Sequence, residues 1–303
     1  MEQTILVTGS TSGFGHLTVE TLARQGYRVF AGMRAAAGKN APAAEELRAL
    51  AQREQLALQV VEIDVTHDAS VERAIAEIIE TTDRLDVVVN NAGISYIGPL
   101  EAFTPEQVRQ QFETNVFGVL RVNRAVLPQM RKQGSGLLLQ IGSIAGRLAM
   151  PYLGLYAATK FAVEGLTESY RYELAPFGID AAIIEPGTYP TTISANRQVA
   201  ADAERLALYQ AGLEAFMVRF YAENRSATPP DPQEVADAIA RVIAQPAGER
   251  PLRTVVATVA QRQAPQALND AAAQAMHSFL EALHIPAAAL ALQEEKQEVR
   301  KQL

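Results

Sequence analysis

The sequence predicts an α/β protein built on one doubly wound parallel sheet. Two observations carry this. Short β-rich runs alternate with longer stretches of helical periodicity from residue 4 to beyond residue 250. The strand candidates, such as TILVT and LDVVV, are near-continuous apolar runs rather than alternating apolar and polar ones. Strands covered by helices on both faces read this way. Right-handed crossovers then place ligand sites beyond the carboxyl ends of the strands.

Residues 4–8 open as a strand, and 14–25 form a helix closed by Gly26. Residues 27–32 are a strand, and 42–54 a helix with proline in its first turn, where a missing N–H costs nothing. A strand over 56–63, a helix over 69–82 and a short buried strand over 85–89 come next. A long helix over 105–131 precedes a strand at 137–141. Residues 152–176 contain a second long helix, succeeded by a strand at 179–184, a helix at 232–244 and a last strand at 254–259. Two stretches fall outside the repeat. Residues 188–230 are too long for a plain connection and carry Tyr189, Leu213, Phe216, Phe220 and Tyr221. Such an insertion is either a helical lid or binding surface, or packing alone. Residues 261–303 are Ala- and Gln-rich and read as a helical extension of the same single domain.

Composition narrows the function. The 303 residues are 48% apolar, enough for a large core, and the net charge is −7 with no basic run. Nucleic acid and anionic membrane are therefore not expected partners. With no cysteine, disulfides, thiolate metal sites and cysteine nucleophiles are excluded. The four histidines lack ligand spacing, so no metal site is expected. No signal-peptide pattern and no apolar run of about 18 residues is present, and the expectation is a soluble cytoplasmic protein.

The first strand runs into TGSTSGFG. Gly9 permits a sharp turn, Gly13 lets backbone approach a pyrophosphate, and Gly15 lets the helix pack on the strand. The helix beginning near Phe14 directs its first N–H groups at phosphate, and Thr11 and Ser12 add hydroxyl donors. Three glycines after a strand also suit any tight turn, so the loop gains weight only from matches later in the chain. The second strand ends AGMR, with Arg34 where a carboxylate would bind a ribose 2′-hydroxyl. A guanidinium there suits a 2′-phosphate, which points to NADP(H). After the third strand, Asp64 and Val65 are placed to meet an adenine, and after the fourth, Asn91, Ala92 and Gly93 let the adenosine half lie close to backbone.

Tyr156 and Lys160 are spaced i, i+4 and share a helix face. An ammonium beside a phenol favours the phenolate and is expected to lower the tyrosine pKa by about 1–3 units, towards the range useful to a general acid or base. Ser143 comes after the preceding strand and is placed to bond the same substrate oxygen, and Asn115 is expected to hold a water against Lys160.

TGSTSGFG, NNAG, Asn115, Ser143, YAATK and EPGT stand together in an order and spacing that resemble the short-chain dehydrogenase/reductase family over about residues 4 to 260. KFAVEGLTES with AGMR is most similar to its NADP(H)-preferring hydroxysteroid and retinol dehydrogenase-like branch. The resemblance implies a Rossmann-type fold with Tyr156 as proton donor to a carbonyl oxygen and Ser143 orienting the substrate. It also implies that Lys160 binds the nicotinamide ribose and supports Tyr156, and that Asn115 joins a proton relay. The nicotinamide amide would then be met by Pro186, Gly187, Thr188 and Thr191, while pairing of the long helices implies a homodimer or homotetramer. Ile94, Tyr96, Met150, Tyr152 and Leu155 suggest an apolar ketone, aldehyde or secondary alcohol as substrate. A redox-assisted epimerase and a non-catalytic NADP-binding regulator remain as alternatives on the sequence alone.

Overall fold

The computed structural model describes residues 3–195, 197–222 and 228–284. In chain order the strands are β1 (Thr4–Thr8), β2 (Arg28–Met33), β3 (Leu58–Glu62), β4 (Val87–Asn90), β5 (Tyr96–Ile97), β6 (Gly136–Ile141), β7 (Ile179–Pro186), β8 (Gln198–Val199) and β9 (Arg253–Val256). Seven of them form one sheet in the order β3-β2-β1-β4-β6-β7-β9, every pairing parallel. The order reverses between β1 and β4, which opens a crevice at their carboxyl ends.

The continuous apolar runs are explained by two cores. Along β1, Ile5 and Val7 join Val235, Ile239 and Ile243 of the helix Gln233–Ala244 on one face of the sheet. Leu6, pointing the other way, joins Val122, Val126 and Met130 of the helix Gly118–Gln133. Both faces are dry, so neither parity of the strand can be polar.

Several boundaries differ from those expected. β3 starts at Leu58 rather than residue 56, because Gln55 caps the preceding helix in a left-handed conformation (φ 54°) and the Leu56 N–H turns back to Ala51 O. β9 stops at Val256, since the chain is already turning into the helix Val259–Ala282. The long helix over 105–131 is two α-helices, Pro105–Phe112 and Gly118–Gln133, joined through a π-turn at Glu113–Phe117. The short parallel pair β5–β8 was not expected; it ties the insertion back to the segment after β4. The insertion also carries the helices Thr192–Ala195, Ala203–Ala207 and Gln210–Phe220. Of the C-terminal extension, residues 285–303 lie outside the described residues. Among the described residues no helix is long and apolar enough to cross a membrane.

Candidate active site

A cleft of about 540 Å³ lies at the crevice. Gly9 turns the chain off β1 at φ +70°, and a Cβ there would sit 2.8 Å from Ala92 Cα, so only glycine lets the two loops close. Asn91 fastens them: its Nδ2 donates to Thr8 O (2.9 Å) and Gly9 O (3.0 Å), while its own N–H donates to Thr8 Oγ1 (3.0 Å). Thr11, Ser12, Gly13 and Phe14 form the wall. Gly15 does not. It lies beneath the cleft, where a Cβ would come within 2.4 Å of both Asn91 Nδ2 and Gly9 O, so its role is packing rather than cofactor contact. The Ser12 and Thr192 hydroxyls are 2.6 Å apart and join the glycine loop to the insertion.

Arg34 and Lys39 line the same end of the cleft and are exposed, with the half-buried Asn40 beside them; Lys39 and Asn40 were not anticipated from the sequence. Asn40 Nδ2 donates to Arg34 O at 2.5 Å and shapes that loop. Asp64 and Val65 are also on the wall. Burial alone would raise the Asp64 pKa, but the Thr66 N–H (3.0 Å) and hydroxyl (2.7 Å) both donate to its Oδ1 and hold it below the usual carboxylate range. Ala92 and Gly93 complete this end.

At the other end Ser143, Tyr156 and Lys160 face the same space. Tyr156 and Lys160 lie on the helix Gly154–Leu174, with Lys160 Nζ 5.6 Å from the Tyr156 ring centroid. Lys160 Nζ donates to Ile141 O at 2.7 Å. Ser143 Oγ accepts from the Ala145 N–H at 3.1 Å, which fixes the turn off β6. The Tyr156 hydroxyl is pushed up to about 12, first by burial and further by Tyr221, with Ser143 and Arg197 pulling the other way. This corrects the expectation that Lys160 would depress it: desolvation of the phenolate dominates. Burial also lowers the Lys160 amine to about 8, against the pull of Glu164. The tyrosine is therefore protonated at neutral pH and placed as a proton donor.

Asn115 is held by bonds the sequence does not mark. It is buried in the π-turn and off the cleft wall. Its Oδ1 accepts from the Ile94 N–H (2.9 Å), and its Nδ2 donates to Ile94 O (2.9 Å) and Thr159 Oγ1 (3.1 Å). Both Nδ2 hydrogens are thus engaged while Oδ1 keeps a second lone pair, and the side chain braces the loop after β4 against the helix carrying Tyr156. Pro186, Gly187, Thr188 and Thr191 line the same cleft. Nothing in an Ala- and Gln-rich helix marked out Gln261, whose Oε1 accepts the Thr188 N–H at 2.7 Å. Tyr189, read only as part of an apolar insertion, lines the cleft and packs edge-on against Phe14 at 5.7 Å. Of the expected apolar wall, Ile94, Tyr96 and Met150 line the cleft; Leu155 is in the core and Tyr152 packs on Phe216 instead.

A family model described as short chain dehydrogenase matches residues 3–202. The chain belongs to the short-chain dehydrogenase family, and it is an oxidoreductase of that family. It is 39% identical over 197 residues to a 3-ketodihydrosphingosine reductase of Bacteroides thetaiotaomicron, covering 65% of this chain and 68% of the relative. It is 38% identical over 190 residues to human 17-beta-hydroxysteroid dehydrogenase type 1, covering 62% of this chain and 57% of the relative. These relatives set it beside the hydroxysteroid and retinol dehydrogenase-like branch. A gluconate 5-dehydrogenase of Burkholderia cenocepacia, solved with NADP and tartrate, superposes with a TM-score of 0.68 at 27% identity, covering 85% of this chain and 94% of the other.

Proposed function

We propose that the chain is an NADP(H)-dependent carbonyl reductase or alcohol dehydrogenase acting on a mainly apolar ketone, aldehyde or secondary alcohol. The observation that carries this is the convergence of Ser143, Tyr156 and Lys160 on one end of a cleft whose other end is the glycine loop with Arg34 and Lys39. The residues fit the cofactor: the close approach at Gly9 leaves bare backbone for phosphates, and two cations stand where a 2′-phosphate would lie. NADPH supplies the hydride when bound. The Ser143 hydroxyl orients the substrate oxygen, and Tyr156, neutral at pH 7, gives it a proton; Lys160 holds the ribose and restores the proton. Two relatives named for a hydroxysteroid and a 3-ketodihydrosphingosine support a large, mainly apolar substrate. The reading further makes the chain a homo-oligomer, because Phe117 and Phe161, on the two long helical elements, are 48% and 43% exposed.

The test is NADPH and NADH consumption over a panel of steroid, retinoid, aryl and aliphatic carbonyls, with Tyr156→Phe as control. NADPH-selective turnover, reduced at least about 10²-fold in the variant while NADPH still binds, is expected. Turnover that survives in Tyr156→Phe would overturn the mechanism.

A further inference from the structure

The cleft is cationic in a chain of net charge −7. Arg34, Lys39, Lys160 and Arg197 line it, against Asp64 as its one carboxylate among the described residues. The proposed cofactor accounts for Arg34, Lys39 and Lys160. Arg197 is left over. It belongs to the insertion, one residue before β8, and shares the substrate end with Tyr156 and Tyr221. Its guanidinium lies over the Tyr221 ring, 4.6 Å from the centroid, and Nη2 donates to the Tyr221 hydroxyl. No carboxylate among the described residues bonds it, and its Nε is buried without a hydrogen-bond partner. Arg197 is half-buried, and a guanidinium partly withdrawn from water gains from a paired anion, since an uncompensated charge is costly. A phenol and a ring face supply only part of that compensation.

The surroundings say where the missing partner enters. Tyr221 stacks edge-on with Phe220 (4.8 Å), Phe220 lies on Phe216 (5.0 Å), and Phe216 on Tyr152 (5.7 Å). Tyr221 anchors the guanidinium to this aromatic run, and Arg197, Phe220 and Tyr221 all line the cleft. The charge is felt at the reacting hydroxyl, where Arg197 is among the groups that pull the Tyr156 proton affinity down.

We propose that Arg197 is a specificity-determining residue that pairs with an anionic group, a carboxylate or phosphate ester, carried by the substrate near its reactive carbonyl. The substrate class is then an amphipathic oxo acid or oxo phosphate with an apolar remainder against Ile94, Met150 and Phe220. This rests on the carbonyl reductase reading. The pyrophosphate of the cofactor carries the same chemistry, and the experiment separates the two sources.

Wild type, Arg197→Gln and Arg197→Lys are compared with NADPH on 2-, 3- and 4-oxo acids bearing aryl or octyl groups, each against its methyl ester. NADPH dissociation constants are measured alongside by nicotinamide fluorescence. Wild type should favour one acid over its ester by at least about tenfold in kcat/KM. Arg197→Gln should collapse that ratio by about 10–10²-fold, as expected for loss of charged hydrogen bonds, and Arg197→Lys should retain part of it. Preference for esters, or an acid-to-ester ratio unchanged in Arg197→Gln, would overturn the assignment. A raised NADPH dissociation constant with the ratio kept would overturn it too, and give Arg197 to the pyrophosphate. Turnover of both members without discrimination, or turnover of the steroid, retinoid, aryl or aliphatic carbonyls but of no acid, defeats this inference alone; no turnover on either panel defeats the carbonyl reductase reading beneath it.

Discussion

Replacing Glu185 with glutamine should make the protein more stable relative to wild type as pH rises. Glu185 is fully buried at the end of β7, and its Oε2 accepts from Asn269 Nδ2 at 2.6 Å. Across from it lies Glu164, one turn after Lys160, whose Oε2 accepts from Arg253 Nε at 2.7 Å. Arg253 also serves Glu168 at 2.6 Å and stands 3.9 Å from Glu185 Oε1, so one guanidinium answers three carboxylates. The Oε1 atoms of Glu164 and Glu185 are both buried with no donor from any other group, and one proton shared between them satisfies both. Burial first, then the Glu164 charge, lifts Glu185 from about 4.5 to about 8. Proton linkage sets the sign: an acid whose folded pKa is raised contributes stability that is complete below about pH 4.5 and lost as pH climbs through about 8. One extra proton in the native state gives a slope of at most about 1.4 kcal/mol per pH unit. Between pH 5.5 and 7.5 wild type should therefore lose up to roughly 3 kcal/mol relative to Glu185→Gln, whose amide needs no proton and can donate to Glu164. Urea unfolding of both proteins across that range, without cofactor, measures the difference. Parallel curves of stability against pH would refute the shared proton.

Gly15→Ala should cost about 2–4 kcal/mol, because the new Cβ displaces Asn91 from its bonds to Thr8 and Gly9. Gly165→Ala, on an open face of the helix Gly154–Leu174, should gain up to about 1 kcal/mol; equal unfolding temperatures for the two would show that the Gly15 contact is not tight. Arg34→Ala should raise the NADPH dissociation constant at least about tenfold more than that of NADH; an equal loss for both would remove the 2′-phosphate assignment. Phe161→Glu should shift the protein towards monomer in light scattering at micromolar concentration, and an unaltered assembly would rule that helix face out of the interface.

The parts of the molecule written in strong local patterns were legible from sequence. Near-continuous apolar strands such as LDVVV announced a sheet covered on both faces, and the glycines after β1 announced a sharp turn into the first helix. What escaped was decided by partners distant in the chain. The π-turn at Glu113–Phe117 has no sequence signature of its own; it is where Asn115 meets Ile94 and Thr159. The direction of the Tyr156 shift also escaped, since i, i+4 spacing gives the distance to Lys160 but not the burial that outweighs it. Lys39 lies in a polar connection with no periodicity to mark it, and only the folded loop brings it beside Arg34.

The bond from Thr188 to Gln261, with that from Glu185 to Asn269, bears on how the molecule is made. The glycine loop, Tyr156 and Lys160 all leave the ribosome well before the helix Val259–Ala282 does. A nascent chain can thus bring the glycine loop and the Tyr156 helix together while the segment after β7 still lacks the side chains that hold it. A chain broken off before residue 261 would lack both bonds, leaving the Thr188 N–H and the buried Glu185 carboxylate without these partners.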